Sequence, residues 1–234
     1  MRVTVVTTLF NYANFVAKAV KSFLSQDMTD SEMVIVNDGS TDHPEKILKP
    51  MLSDRVRVVV LPKNHGYSYA KNVGIRESRS EILVMLDADD YLLPGSLSLR
   101  YEAIQKGFDF VHGPALDFVD GKLSPSKLWK QYLEKPSYKR VHAQGVMLRK
   151  QIHREIGLYD ESLRCKSDRE MWARIFNHGY RIGTVDQPVV VYRMHPNQMH
   201  RSKEKAAIND RLQAEVLEKI SRRAIDLSDV EMLS

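Results

Sequence analysis

The chain has 234 residues, 43% of them apolar and 28% charged, with a formal net charge of +5. That length buries a full core and reads as one domain with a smaller appended region. No run approaches the ~20 apolar residues of a membrane-spanning helix, no signal peptide precedes the first strand pattern, and the lone Cys165 excludes an internal disulfide, so the expectation is a cytoplasmic protein.

Residues 3–7 are a short β-branched run and read as a first strand. A loop at Phe10-Asn11-Tyr12 follows. Asn14 is placed to cap a helix whose apolar positions Phe15, Ala19, Val20, Phe23 and Leu24 fall at helical spacing. Residues 33–36 form a second strand, ending in the polar turn Asn37-Asp38-Gly39-Ser40-Thr41-Asp42, with Pro44 near the next helix start. Residues 56–61 read as strand three, Asn64-His65-Gly66 as a turn, 68–78 as a helix and 82–86 as strand four. This alternation predicts a doubly wound, mostly parallel sheet whose strand ends face one crevice.

Strand four runs straight into Asp87-Ala88-Asp89-Asp90. Its apolar residues suit a strand buried on both faces, which places the acids at the carboxyl end, where open α/β sheets hold ligands. Three crowded carboxylates repel one another unless a cation offsets them, and hard Mg²⁺ or Mn²⁺ prefer such oxygen donors. The alternative is an acidic turn that closes the strand before the helix after Pro94-Gly95.

The second half is less regular. A helix is expected over 96–105, strands at 108–111, 115–119 and 146–148, and a short helix over 150–156. An amphipathic helix over 168–177 places Met171, Trp172, Ile175 and Phe176 on one face, with Met171 and Trp172 read as core. Strands at 181–185 and 189–192, a surface helix over 203–221 and a mobile last dozen residues complete the pattern. Cys165 reads as an ordinary structural residue, and His65 and His142 as surface or loop histidines. Residues 121–155 hold nine basic and two acidic residues, so this segment carries +7 while the remainder sums to −2. Trp129, Tyr132 and Tyr138 are interleaved with the bases. Such a segment suits stacking with single-stranded nucleic acid. Leu128, Trp129, Tyr132 and Leu133 suit an interfacial amphipathic helix, and a solvated basic loop is the plain alternative.

Taken in order, Val3-Thr4-Val5-Val6-Thr7-Thr8-Leu9-Phe10-Asn11, Val34-Ile35-Val36-Asn37-Asp38-Gly39-Ser40-Thr41-Asp42, Asn64-His65-Gly66, Ala70-Lys71-Asn72-Val73-Gly74-Ile75 and Leu86-Asp87-Ala88-Asp89-Asp90 resemble glycosyltransferase family 2. So do Gly157-Leu158-Tyr159-Asp160-Glu161, Ser167-Asp168-Arg169-Glu170-Met171-Trp172-Ala173-Arg174 and Tyr192-Arg193-Met194-His195. The resemblance covers about residues 2–200. It implies the GT-A fold: a Rossmann-like, mostly parallel sheet flanked by helices, with a small acceptor-side subregion and a C-terminal helix. It also implies an inverting transfer from a nucleotide sugar, a UDP-sugar first, aided by Mn²⁺ or Mg²⁺. Residues 1–95 would then form the nucleotide half, 96–200 the acceptor half, and 201–234 a helical extension.

Residue by residue, the resemblance places Thr8 and Phe10 at the nucleotide end of strand one and Asp38 against the base. Lys71 falls near base or diphosphate, with a solvated helix face as its alternative. Asp87 falls near the ribose and Asp89 on the metal, with Asp90 in support. Asp168 matches the catalytic base, although it could instead only cap its helix, and His195 a second metal ligand. Phe10 replaces a usual tyrosine, Lys71 an arginine, Ser167 an acid, Asn37 an aspartate and Thr8 a proline. The acceptor is expected to be anionic: a glycan, a lipid-linked carrier or nucleic acid, with peripheral membrane contact through 121–155. The rival class is a non-catalytic carbohydrate- or nucleic-acid-binding module that keeps the fold. Nucleotidyl transfer is disfavoured, because residues 7–14 contain no glycine.

Overall fold

The computed structural model describes residues 1–127, 138, 141–163, 166–196 and 198, and the backbone of Val230–Leu233. Leu128, Trp129, Tyr132, Leu133, Cys165 and the final helix expected over 203–221 lie outside those residues. The first half contains β1 (Thr4–Leu9), α1 (Ala13–Leu24), β2 (Glu32–Asp38), α2 (Glu45–Leu48), β3 (Val56–Leu61), α3 (Tyr67–Glu77) and β4 (Ile82–Asp87). The second contains β5 (Tyr91–Leu92), α4 (Ser96–Gln105), β6 (Phe110–His112), β7 (Ala115–Val119), β8 (Lys122–Pro125), β9 (Met147–Arg149), α5 (Gln151–Ile156), α6 (Ser167–Phe176), β10 (Ile182–Val185), β11 (Val190–Arg193) and β12 (Val230–Leu233).

Eight strands form one sheet in the order β12-β10-β6-β9-β4-β1-β2-β3, parallel except for β9, which runs antiparallel to both neighbours. Residues of alternate parity on β4 feed opposite faces. Ile82, Val84 and Leu86 join the core with α1 and α4, while Leu83 and Met85 join the core with α5 and α6. Burial on both faces explains why these strands read as continuous apolar runs. All seven residues of β2 are buried, including Glu32. Its carboxylate is satisfied by Thr4 Oγ1 at 2.9 Å and the Arg79 N–H at 2.8 Å.

Several local expectations change. Asn14 is exposed and does not cap α1, which begins at Ala13. The free N–H of Ala13 instead reaches Asp42 Oδ2 at 2.8 Å, so the cap comes from the turn after β2. A second sheet, β5-β11-β7-β8, stands beside the first; the sequence predicts its strands β7 and β11 but not the sheet. β5 has only two residues and β8 is exposed along its whole length, so these two carry little hydrophobic signal. The tail expected to be mobile contributes β12, parallel to β10. Trp172 and Met171 are core, as expected.

Three of the described bases of the segment are tied to other groups of the chain. Arg149 pairs with Asp109 at 3.4 Å and Arg154 with Glu81 at 2.6 Å, while Lys150 Nζ donates to the Ser78 carbonyl at 2.8 Å. Lys122 and Lys127 are exposed. Among the described residues, no helix is long and apolar enough to cross a membrane.

Candidate active site

β1 and β4 are neighbours, yet the chain leaves β1 for β2 on the other side. The pair therefore marks the point where strand order reverses and a crevice opens. Thr8 lies opposite Asp87 in this register, and the Ala88 N–H donates to the Thr8 carbonyl at 3.3 Å. Past β4 the chain turns, with the Asp90 N–H on the Asp87 carbonyl at 3.1 Å. The turn gathers Asp87, Asp89 and Asp90, each offering an oxygen within 4.8 Å of the others.

Arg193 of β11 clamps this turn through backbone groups. Its own N–H donates to Asp90 Oδ1 at 2.9 Å, and its guanidinium donates to the carbonyls of Asp89 and Ala88, and of Phe15 at 3.0 Å. Asp90 is fully buried and its Oδ2 has no hydrogen-bond partner. Asp89 Oδ2 lies 3.1 Å from His195 Nε2, and the imidazole stacks on Phe15 at 4.3 Å with Tyr12 edge-on at 5.4 Å. Burial, and then the Asp87 charge, push the Asp89 carboxyl up to about 6 against the opposing effect of His195. Asp90 is held well above the usual range by burial and by both neighbouring acids. A buried oxygen without a donor, beside carboxylates that resist ionising together, is what a hard divalent cation relieves. The donor set therefore fits Mg²⁺ or Mn²⁺, with His195 an acceptable nitrogen for Mn²⁺.

Asp87 faces the other side of the crevice. Tyr67 Oη, at the start of α3, donates to both its oxygens at 2.9 and 3.1 Å, and Gln144 Nε2 donates to Oδ2 at 2.6 Å. Lys71, one turn along α3, is 2% exposed, which rules out a solvated face. Its Nζ has no hydrogen-bond partner and sits 4.1 Å from the Tyr67 ring centroid and 5.1 Å from that of Tyr159. Burial lowers its pKa, and the charges of Asp87 and Asp168 oppose that. Asp168 is half-buried in the first turn of α6, where the helix dipole favours a carboxylate. After burial, Asp168 is the largest influence holding the Tyr159 hydroxyl protonated, and with Asp87 it does the same at Tyr67. The charges of Asp87 and Asp168 thus both act on the buried Lys71.

Phe10 and Asp38 lie at the neighbouring strand ends. Phe10 is 42% exposed. Asp38 is buried and accepts the N–H groups of His65 at 2.8 Å and Gly66 at 2.9 Å. It fixes the loop before α3 and does not close on its own Gly39. That glycine is required, since its φ is +68° and a Cβ would lie 2.4 Å from the Lys63 backbone. His65 is exposed and stacked on Tyr69 at 4.5 Å. His142 lies in a loop, as expected, but is buried at 8% exposure rather than on the surface. Tyr67, Gln144, Arg193, Tyr12 and Phe15 were not singled out as functional. Arg193 stands in the Tyr192-Arg193-Met194-His195 motif and Tyr67 opens a helix directly after Gly66, whereas Gln144, Tyr12 and Phe15 carry no local functional signal.

The model of "Glycosyl transferase family 2" matches residues 4–156, more than half of the chain. The uncharacterized glycosyltransferase EpsJ of Bacillus subtilis (strain 168) is 25% identical over 236 residues, covering 94% of this chain and 69% of that protein. The S. aureus TarS 1–349 structure superposes with a TM-score of 0.71 at 20% identity, over 94% of this chain and 71% of that one. Mannosyltransferase PcManGT from Pyrobaculum calidifontis gives 0.75 at 19% identity, over 95% and 65%. The fold is GT-A, and the chain belongs to glycosyl transferase family 2 as a glycosyltransferase.

Proposed function

We propose that the chain transfers a sugar from a nucleoside-diphosphate sugar, a UDP-sugar first, to an acceptor hydroxyl with inversion at the anomeric carbon. The observation that carries this reading is the Asp87-Asp89-Asp90 cluster at the crevice between β1 and β4, with the charges of Asp87 and Asp168 both acting on Lys71. Residues 1–95 hold the nucleotide in this reading, and 96–200 face the acceptor. Thr8, Phe10 and Asp38 line the nucleoside side, where the exposed Phe10 ring offers a stacking face. Asp87 serves the ribose, and Lys71 is a cation toward the diphosphate. Asp89 and His195 would hold Mn²⁺ or Mg²⁺, which when bound acts as a Lewis acid neutralising the leaving diphosphate. Asp168 accepts the acceptor hydroxyl's proton as that oxygen bonds to the anomeric carbon. The glycosidic C–O bond breaks on the opposite face, and its electron pair leaves with the diphosphate.

The reading draws support from TarS, whose structures hold UDP and UDP-GlcNAc, and from PcManGT with GDP-Man and Mn²⁺. The acceptor is anionic, a lipid-linked carrier, glycan or nucleic acid, met by exposed Lys122 and Lys127 and the bases that follow them, with peripheral membrane contact through the same segment. The test is a panel of UDP- and GDP-sugars with Mn²⁺ or Mg²⁺, reading released nucleoside diphosphate in the wild type and in Asp89→Ala. Turnover confined to the wild type is expected. No binding or turnover of any nucleotide sugar under either metal would overturn the reading. For the acceptor, binding that stays flat from low to high salt removes the electrostatic role of the basic segment.

A further inference from the structure

We infer that Gln144 and His142 are positioning residues for the donor site, acting through a directed hydrogen-bond chain that begins at Ser126 and ends on Asp87. The inference rests on the reading of Asp87 as a donor-binding residue. Gln144 Nε2 meets Asp87 Oδ2 at 2.6 Å, and Gln144 Oε1 lies 3.3 Å from His142 Nδ1. His142 Nε2 lies 3.1 Å from Ser126 Oγ. Ser126 and His142 are buried, at 2% and 8% exposure.

The carboxylate at one end fixes every proton in the chain. It accepts, so the Gln144 amide nitrogen faces it and the Gln144 oxygen is left to accept. His142 therefore carries its proton on Nδ1 and leaves Nε2 bare, and the Ser126 hydroxyl donates to it. Burial lowers the His142 pKa and keeps the ring neutral, as this direction requires. The ring is also held edge-on against Tyr192 at 5.2 Å. Tyr192 precedes Arg193, the clamp on Asp89 and Asp90. Ser126 lies within the basic segment, directly after β8 of the second sheet, and is anchored by its N–H on the Ala115 carbonyl of β7 at 3.0 Å. The chain thus fixes the orientation of Asp87 from the acceptor side of the molecule. Groups that orient a ligating carboxylate matter nearly as much as the carboxylate itself.

The test uses the full chain. Binding of UDP, and separately of GDP, in the presence of Mn²⁺ is measured by calorimetry for wild type, His142→Ala, His142→Asn and Gln144→Leu. The imidazole ¹⁵N shifts of His142 are recorded without nucleotide. The expected tautomer is Nδ1–H, the less populated form of a free imidazole. Gln144→Leu and His142→Ala are expected to weaken nucleotide binding by about tenfold. His142→Asn keeps an N–H where Nδ1 was and is expected to recover most of that loss. An Nε2–H tautomer, equal losses in the alanine and asparagine variants, or wild-type affinity in Gln144→Leu would each overturn the positioning role. Should His142→Ala fail to fold, the tautomer and Gln144→Leu still decide. A wild type that binds neither nucleotide overturns the donor reading itself.

Discussion

Asp168 has one assigned task in the proposed reaction, and Asp168→Asn isolates it by keeping shape while removing basicity. The expected outcome is a fall in kcat of about 10²–10⁴-fold, with calorimetric affinity for UDP and Mn²⁺ unchanged. A variant that transfers at the wild-type rate would leave Asp168 only a helix-start acid. Lys71 shows how far one residue's setting escapes local reading. On a helical wheel it is one more cation, yet the fold seals it between Tyr67 and Tyr159 with two carboxylates acting on it. Asp38 is the reverse case: the turn motif singled it out, and the structure shows it holding the loop that opens α3.

At the scale of elements, α3 lies so close to the sheet that Gly74 has no room for a side chain. A Cβ there would stand 2.3 Å from Val6 Cγ1 and 3.3 Å from Val36 Cγ2. Alanine would gain about 1 kcal/mol of helix propensity, but overpacking costs about 1–3 kcal/mol or more. Gly74→Ala is therefore expected to lower the urea midpoint, and adding Val6→Ala should cost less than it does in the wild type. A Gly74→Ala chain as stable as wild type would show that the contact yields. On α5, burial pushes His153 down to about 4. Its unfolded-state value near 6.5 means that the unfolded chain binds the proton first as pH falls. Stability from this group is thus complete above about pH 6.5 and is lost toward pH 4, by about 2 kcal/mol at pH 5. His153→Leu removes this dependence. Its stability relative to wild type, from urea melts, is expected to improve by about that amount between pH 7 and pH 5. An unchanged difference would mean that His153 titrates normally in the folded chain.

At the scale of the whole molecule, the proposed site draws on β1, β4, β11, α1, α3 and α6, so a ligand there would tie most of the fold together. UDP with Mn²⁺ at about a hundredfold excess over Kd is expected to add about 3 kcal/mol, a rise in Tm of several degrees for a chain this size. Asp89→Ala should abolish the metal-dependent part, and a rise that persists in that variant would move the cation elsewhere. The sequence alone determined the alternating strands and helices, the acidic turn after β4 and the order of the family's motifs. It could do so because doubly buried strands are apolar runs and their polar ends are local in sequence. Tertiary structure alone decided the second sheet, the clamp of Arg193 on Asp89 and Asp90, and the line from Ser126 through His142 and Gln144 to Asp87. Gln144 is 57 residues from Asp87, and Arg193 is 104 from Asp89. Contacts over such separations leave no periodicity behind. The first exists because β9 enters between β4 and β6 and brings the loop before it over the crevice, and the second because β11 pairs with β5 directly after the acidic turn.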